Sequence, residues 1–305
     1  MATLPRHDKP APITGRSKAP FAYFGGKSAM IHNLLPLLPP HEVYVDVCGG
    51  SGALLFAKDA AELEVFNDAD SALVNFFRVL RDRQQCADLV QLLDLSPFSR
   101  EDYLFCRVHY NDSDDEVERA RRWYIAAQQA FSGHFGRSGW KQSKTISGHA
   151  VKSFRHNVER FSQFTERLHY VQIENLSFER IIRDYDAEDV LYYCDPPYLP
   201  ETRRDGGYRH EMTVEQHRQL LQLITTCKGM VILSGYDNPL YRSFLGDWQL
   251  HQFEVTAHSA AKTKATGLQG KGAMKNQTRV ESIWIKPNTI KPPSKQLSLW
   301  GQSDE

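Results

Sequence analysis

The residues with the clearest chemical potential lie in the stretch LYYCDPPYLP, residues 191–200. The run at 190–194 has the bulk and β-preference of a buried strand, and it ends in a carboxylate, Asp195. Pro196 and Pro197 follow, and because prolines lack N–H groups and fix φ, they stiffen the turn and leave nearby carbonyl oxygens facing outward. A rigid carboxylate beside a proline carbonyl offers two acceptors, whose natural complement is an –NH₂ group.

Tyr198 adds a flat face on which the ring carrying that amine could stack. An aromatic amine is a poor nucleophile because its lone pair is delocalised into the ring, and two acceptors stabilise positive charge on the nitrogen as it attacks. We do not expect Asp195 to act as a full general base, since an ordinary carboxylate is weak. Taken alone, DPPY could also be no more than a rigid turn at a strand end.

A second chemical feature is the glycine-rich turn in DVCGGSG, which lies between a strand predicted at 43–47 and a helix. Gly50 and Gly52 allow a sharp turn and a close backbone approach to a ligand beside a helix N-terminus. Asp68 ends the next predicted strand, where folds of this kind place an acid that binds ribose hydroxyls. An ordinary turn and a solvated acid would explain each feature alone, but together they indicate a nucleoside-bearing cofactor.

These groups can meet only if several strands end at one sheet edge. Further strand signals lie at 64–70, 169–174, 190–195, 230–235, 248–255 and 279–286, and helical patterns at 53–63, 71–95 and from Thr213 with Gln216 as a capping-box partner. Strand–loop–helix alternation predicts an α/β fold with a mostly parallel sheet, helices on both faces and a C-terminal antiparallel hairpin. We predict a flexible leader at 1–20, the sheet domain at 21–74 and 166–287, a helical insert at 75–165 and a flexible tail at 288–305.

The composition adds weaker limits. Formal net charge is zero over 305 residues, so the overall field neither favours nor excludes a polyanionic partner. The five cysteines are scattered without C-x-x-C spacing, which predicts reduced core residues and no metal site. No apolar run reaches membrane-spanning length and no signal peptide is seen, so we expect a cytoplasmic protein with no membrane partner.

Four motifs, AYFGGK, DVCGGSG, NDAD and YCDPPY, occur in this order with a helical stretch before the last. Over about residues 20–287 they resemble the Dam-type (alpha-group) DNA adenine-N6 methyltransferases. The resemblance implies a Rossmann-like S-adenosylmethionine-dependent methyltransferase sheet, an inserted DNA-recognition lobe, and methyl transfer from S-adenosylmethionine to the exocyclic amine of a flipped adenine in double-stranded DNA. It also implies a bacterial or phage protein associated with the nucleoid through DNA.

The same resemblance implies roles for individual residues. The cofactor side would be formed by Tyr23, Lys27, Asp46, Gly50, Gly52, Asp68, Ser177, Phe178 and Asp195; Asp195, Pro196, Pro197 and Tyr198 would hold the target amine and base. Ser177 and Phe178 match a place where family members often have aspartate and phenylalanine at the cofactor adenine, so this chain departs from the family at 177. The segment SGYD, residues 234–237, is similar to a family segment near the target-base pocket.

Two acid-free basic stretches, within 131–156 and 256–279, could contact DNA phosphates, although such runs are often only solvated surface. The residues we select as DNA contacts are Phe131, Arg137, Lys141, Lys262, Lys264 and Lys271. Family members that methylate GATC have lysine where this chain has Ala22, so we do not assign GATC; relaxed or different specificity is at least as plausible.

The tail carries one further motif. Gln296, Leu297, Ser298, Leu299 and Trp300 resemble the pentapeptide by which bacterial proteins dock on the replication sliding clamp, with tryptophan replacing the usual phenylalanine. A chance match, or a tail that packs on its own domain, is an equal alternative.

Two other functions stay open at this point. A methyltransferase acting on RNA or a protein amide is disfavoured because the amide-modifying motif begins with asparagine, and this chain has Asp195. A DNA-binding protein that kept the cofactor fold without activity is disfavoured because Asp68, Asp195 and Tyr198 are all present.

Overall fold

The fold is built on one seven-stranded mixed sheet. The computed structural model describes residues 9–15, 18–23, 25–130, 139–142, 149–199, 211–256 and 278–289. The strands are β1 (Val43–Asp46), β2 (Leu63–Asn67), β3 (Val171–Glu174), β4 (Val190–Cys194), β5 (Met230–Gly235), β6 (Gln249–Thr256) and β7 (Thr278–Ile285), in the spatial order β3-β2-β1-β4-β5-β7-β6. β1 to β5 pair in parallel, whereas β7 is antiparallel to both β5 and β6. The predicted α/β class, its parallel sheet and its terminal hairpin are confirmed.

Helices cover both faces of this sheet. They are α1 (Ile31–Leu34), α2 (Ala53–Ala57), α3 (Ser71–Arg81), α4 (Arg83–Leu95), α5 (Arg100–His109), α6 (Glu116–Gln128), α7 (His149–Glu159), α8 (Phe161–Leu168), α9 (Phe178–Asp184), α10 (Val214–Thr226) and α11 (Pro239–Phe244). The capping box predicted at the start of α10 is confirmed, because the Thr213 hydroxyl accepts from the Gln216 backbone N–H while the Gln216 side chain accepts from the Thr213 N–H.

Two helix predictions were wrong in length. The single helix predicted at 71–95 is broken at Asp82, which has extended backbone and whose carboxylate caps α4 by accepting from the Gln85 N–H at 2.9 Å. The helix predicted at 53–63 ends at Ala57, where Lys58 has extended backbone and its ammonium donates to Glu64.

The helices of the insert share a core with the sheet. Phe21, ahead of the sheet, packs edge-on against Trp123 of α6 at a centroid distance of 5.2 Å. Phe76 of α3 stacks on Tyr124 at 5.7 Å and meets Phe161 of α8 at 5.6 Å. These side chains belong to one buried apolar cluster that also contains residues of the sheet strands and of α2. The boundaries we predicted between sheet domain and insert stay a prediction.

A buried ion triad ties α8, the helix that crosses the predicted end of the insert, to the sheet. Glu64 of β2 accepts from Lys58 Nζ at 2.6 Å and from Arg167 Nη2 of α8 at 2.8 Å. All three side chains are at most 2% exposed, and burial lowers the pKa of Lys58. Because two cations share one carboxylate away from water, the triad depends on Glu64.

Within the described part of the chain, no helix is long and apolar enough to span a membrane.

We predict that Glu64→Ala lowers the free energy of unfolding by about 3–5 kcal/mol, because it leaves two buried cations without a counter-charge. The measurement is guanidinium denaturation at neutral pH. The matched control is Glu166→Ala, which removes an exposed carboxylate paired with Arg83 and should change the midpoint little. A loss for Glu64→Ala no larger than that of the control would contradict the prediction.

Candidate functional site

A cavity of about 370 Å³ lies at the carboxyl ends of β1, β2 and β4. Parallel pairing places Asp46 at the end of β1 level with Tyr193 of β4, so Asp195 follows at the same edge. Nine residues predicted from the sequence line the cavity: Tyr23, Lys27, Asp46, Gly50, Asp68, Ser177, Phe178, Asp195 and Pro197. Gly52, Pro196 and Tyr198 are next to lining residues in the sequence but do not themselves line the cavity.

The glycine turn is shaped by positions that reject a side chain. Gly50 and Gly52 have φ of +52° and +66°, in the left-handed region that favours glycine. A Cβ at Gly49 would lie 2.2 Å from the ring of Phe66 on β2, so the turn can pass this ring only without a side chain. Tyr23 packs beside Gly50, with a ring carbon 3.3 Å from where a Cβ would be. The backbone therefore lines the cavity closely.

Asp68 ties the turn to the next strand. Its Oδ2 accepts from the Gly50 N–H at 2.9 Å, and its Oδ1 accepts from the Asp70 N–H at 2.8 Å. Asn67 adds a second bridge, since its side chain donates to the Val47 carbonyl at 2.9 Å and accepts from the Leu176 N–H at 2.8 Å. The turn after β1, the end of β2 and the approach to α9 are thus held as one edge.

Ser177 and Phe178 reach the cavity at the start of α9. The Ser177 hydroxyl caps this helix by accepting from the Arg180 N–H at 3.4 Å. Phe178 provides apolar surface to the cavity. Met212, just before α10, provides further apolar surface. Glu211, Met212 and Gln216 all line the cavity, and the sequence did not predict them as part of the site. The only signal there was the capping box, which marks a helix start and not a ligand.

Asp46 is a buried carboxylate at the cavity wall. It is 2% exposed, its Oδ2 accepts from the Tyr44 hydroxyl at 3.5 Å, and its buried Oδ1 has no hydrogen-bond partner among the described residues. Burial, and then the neighbouring charges of Asp195 and Asp68, raise the pKa of Asp46 well above its usual range. A ligand with a cationic or donor group at this wall would satisfy the carboxylate.

Asp195 is paired with Lys27. Lys27 Nζ lies 2.8 Å from Oδ1 and 2.9 Å from Oδ2, and it also donates to the Gly25 carbonyl at 3.1 Å. Burial raises the pKa of Asp195 above its usual value although Lys27 lowers it, and the charge of Glu281 raises it further. The carboxylate is therefore a stronger hydrogen-bond and proton acceptor than an exposed aspartate.

Tyr198 stands beside this pair and is fixed by the C-terminal hairpin. Its hydroxyl donates to Glu281 of β7, 83 residues later in the chain, and lies 3.4 Å from the Ser234 hydroxyl oxygen. Lys27 Nζ is 4.8 Å from the centroid of the Tyr198 ring, and Tyr236 meets that ring edge-on at 4.6 Å. SGYD thus supplies a direct neighbour of Tyr198. No local pattern marked Glu281, since its role arises from strand pairing.

Lys141 is the one predicted DNA contact within the described residues. It is half-buried, burial lowers the pKa of its ammonium, and its backbone N–H donates to the Gln129 carbonyl at 2.7 Å. Its contact with DNA stays a prediction. The other predicted DNA contacts, Phe131, Arg137, Lys262, Lys264 and Lys271, and the tail residues Gln296, Leu297, Leu299 and Trp300 lie outside the described residues.

Metal binding and disulfides have no support in the described ranges. No group of three or more histidine, cysteine, aspartate or glutamate residues there is placed to hold a metal ion. The five cysteines are free thiols, and four of them are buried.

Comparisons with known proteins agree on one family. The family model of the D12 class N6 adenine-specific DNA methyltransferase matches residues 23–258. The type II methyltransferase M1.LlaDCHI of Lactococcus lactis subsp. cremoris is 28% identical over 258 residues, covering 80% of this chain and 89% of that protein. The DNA adenine methylase of Escherichia coli is 22% identical over 251 residues, covering 79% and 88%. The DNA N-6-adenine-methyltransferase of Escherichia phage P1 is 24% identical over 230 residues, but this chain spans only 30% of its length.

We predict that Asp46→Asn raises the melting temperature of the ligand-free protein at pH 7.5 by a few degrees. Because the folded pKa of Asp46 is raised above 3.8, its contribution to stability falls as pH rises from about 3.8 to the folded pKa. Asparagine removes that loss. The gain should therefore shrink as the pH is lowered toward 4. Thermal denaturation of both proteins across this range tests it, and a pH-independent difference would show that Asp46 is not the titrating group.

Proposed function

Because the chain belongs to the D12 class of N6 adenine-specific DNA methyltransferases, we propose that the cavity at the ends of β1, β2 and β4 is where methyl donor and target base meet. Enzymes of this class transfer a methyl group from S-adenosylmethionine to the N6 amine of adenine in DNA. The observation that carries the proposal is the shared cavity. The glycine turn with Asp68 and the acceptor Asp195 lie at one sheet edge, although they come from separate parts of the chain.

The residues at one side of the cavity fit the methyl donor. S-adenosylmethionine supplies an electrophilic methyl group and carries an amine, a ribose and an adenine. Asp46 offers an unsatisfied buried acceptor for a donor or cation, and Asp68, held by the Gly50 N–H, is the acid placed for ribose hydroxyls. Phe178 and Met212 offer apolar surface for a flat ring.

The residues at the other side fit the target amine. Asp195 can accept an N–H of the amine and stabilise the positive charge that develops on its nitrogen. Its raised pKa also suits it to receive the proton released after attack. Lys27 Nζ donates to both carboxylate oxygens of Asp195. We propose that, when the base enters, Lys27 either moves away or keeps one oxygen while the amine takes the other.

Duplex DNA is the substrate form that we propose. An adenine amine inside a duplex is out of reach of a cavity at a sheet edge, so the base must leave the stack at a cost of a few kcal/mol. Stacking on an aromatic side chain such as Tyr198 returns roughly 1–3 kcal/mol per base. The two basic stretches described in the sequence, including Lys141, are the surfaces we propose for phosphate contact.

We predict that Asp195→Asn lowers the methyl-transfer rate at least about 100-fold, because the amide cannot stabilise positive charge on the attacking nitrogen. The assay follows labelled methyl groups from S-adenosylmethionine into bacterial genomic DNA that lacks N6-methyladenine. Asp184→Asn is the matched control, because Asp184 is an α9 carboxylate that pairs with Arg180 and does not line the cavity. The control should keep the parental rate. Parental activity in Asp195→Asn would overturn the proposed function.

For the tail we propose docking on a bacterial sliding clamp through Gln296, Leu297, Leu299 and Trp300, an idea supported only by the motif. Calorimetry with a peptide of residues 290–305 should detect clamp binding, because a glutamine with apolar anchors can fill a clamp pocket. Trp300→Ala should abolish it, and Ser303→Ala, outside the motif, should not. Absence of heat with the parental peptide, or equal affinity of the Trp300→Ala peptide, would refute the proposal.

A further inference from the structure

Two tyrosines beside Asp195 are each bonded to a charged residue of β7. Tyr198 donates from its hydroxyl to the Glu281 carboxylate, and Arg279 Nη1 donates to the Tyr236 hydroxyl at 3.3 Å. The two rings meet edge to face, with centroids 4.6 Å apart and planes at 66°. The described residues therefore contain a small aromatic unit whose two polar ends are held by the same strand.

Strand pairing explains how one strand reaches both rings. β7 runs antiparallel to β5, with Ser282 opposite Gly235, so Glu281 is level with Tyr236, the residue that follows β5. Residues two apart on a strand point to the same face, which places Arg279 and Glu281 together. Trp284 and Ile283 farther along β7 are buried in the core and anchor the strand. The acceptor for Tyr198 is thus mounted on a rigid element.

The contact limits how Tyr198 can move. Its ring is 5% exposed, with Tyr236 at its edge and the Lys27 ammonium 4.8 Å from its centroid. A phenol that donates to a carboxylate makes a charge-assisted hydrogen bond, stronger than one between neutral groups. Because stacking and in-line attack need a fixed ring plane, a group that holds the phenol end also sets where a stacked base would lie.

We propose that Glu281 is a positioning residue for the target adenine and acts by fixing the ring of Tyr198 through its hydroxyl. The inference rests on the proposed function, in which Tyr198 stacks on the target base. A purely structural role, in which the bond only fastens the hairpin to the sheet, would change stability and leave the kinetics per folded molecule unaltered. The two roles differ in measurable ways.

The test uses the full-length chain, tritiated S-adenosylmethionine and bacterial genomic DNA that lacks N6-methyladenine. Glu281→Ala should lower kcat/KM for DNA about tenfold, as expected for loss of a hydrogen bond to a charged group, with KM for S-adenosylmethionine unchanged. Tyr198→Phe, which keeps the ring and removes the donor, should lose a similar factor. The double variant should be no worse than either single one, because both remove the same bond.

Rescue and control variants separate positioning from stability. Glu281→Gln keeps an acceptor oxygen for the phenol and should recover most of the activity that Glu281→Ala loses. Glu254→Gln removes an exposed carboxylate from the same hairpin, opposite Val280, and should match the parental enzyme. Because Glu281→Gln and Tyr198→Phe change the fewest atoms, they decide the question if Glu281→Ala does not fold.

The outcomes distinguish this inference from the proposed function. If Asp195→Asn is inactive while Glu281→Ala and Tyr198→Phe keep parental kinetics, positioning by Glu281 is refuted and the proposed function stands. Additive losses in the double variant, or a loss for Glu281→Ala that appears only as a lower melting temperature, refute it as well. If Asp195→Asn is fully active, the proposed function itself fails.

Discussion

Carboxylates crowded at one sheet edge are the constraint on which the site depends. Asp46, Asp68 and Asp195 all line one cavity, and Lys27 is the one lysine or arginine among its described lining residues. Burial raises the pKa of both Asp46 and Asp195. The charges of Asp195 and Asp68 raise the pKa of Asp46 further, and the charge of Glu281 raises that of Asp195, so it costs free energy to keep these carboxylates ionised. A ligand that brings positive charge or several donors lowers this cost. The sulfonium donor and the amine substrate of a D12 class methyltransferase have that character.

The sheet holds these carboxylates on separate strands, and other residues of the chain pair with most of their oxygens. Asp46 ends β1, whereas Asp68 and Asp195 come directly after β2 and β4, so the three carboxylates meet at one edge of the parallel sheet. Asp68 accepts hydrogen bonds from two backbone N–H groups, and Lys27 donates to both oxygens of Asp195. Of these three aspartates, Asp46 is the one with a buried oxygen that has no hydrogen-bond partner among the described residues. Most carboxylate oxygens at this edge therefore have hydrogen-bond partners within the chain, and Oδ1 of Asp46 is the acceptor that a ligand could bind.

The sequence predicted what depends on local patterns. Strand-ending acids, the glycine turn and the Thr213 capping box were readable because each is encoded in a few neighbouring residues. The break at Asp82 was missed because the apolar spacing continues through it, although aspartate is a strong N-cap. In the sequence, Glu281 and the triad of Lys58, Glu64 and Arg167 look like ordinary surface charges. Their contacts were missed because they include partners far apart along the chain.

The aromatic cluster that joins Phe21, Phe76 and Trp123 limits which parts of this chain could be exchanged without loss of packing. Because helices of the predicted insert and residues of the sheet domain belong to the same buried cluster, we expect the two parts to unfold together. Wholesale exchange of the insert between relatives would leave an open apolar face. Insertions in surface loops, by contrast, would leave this shared packing intact.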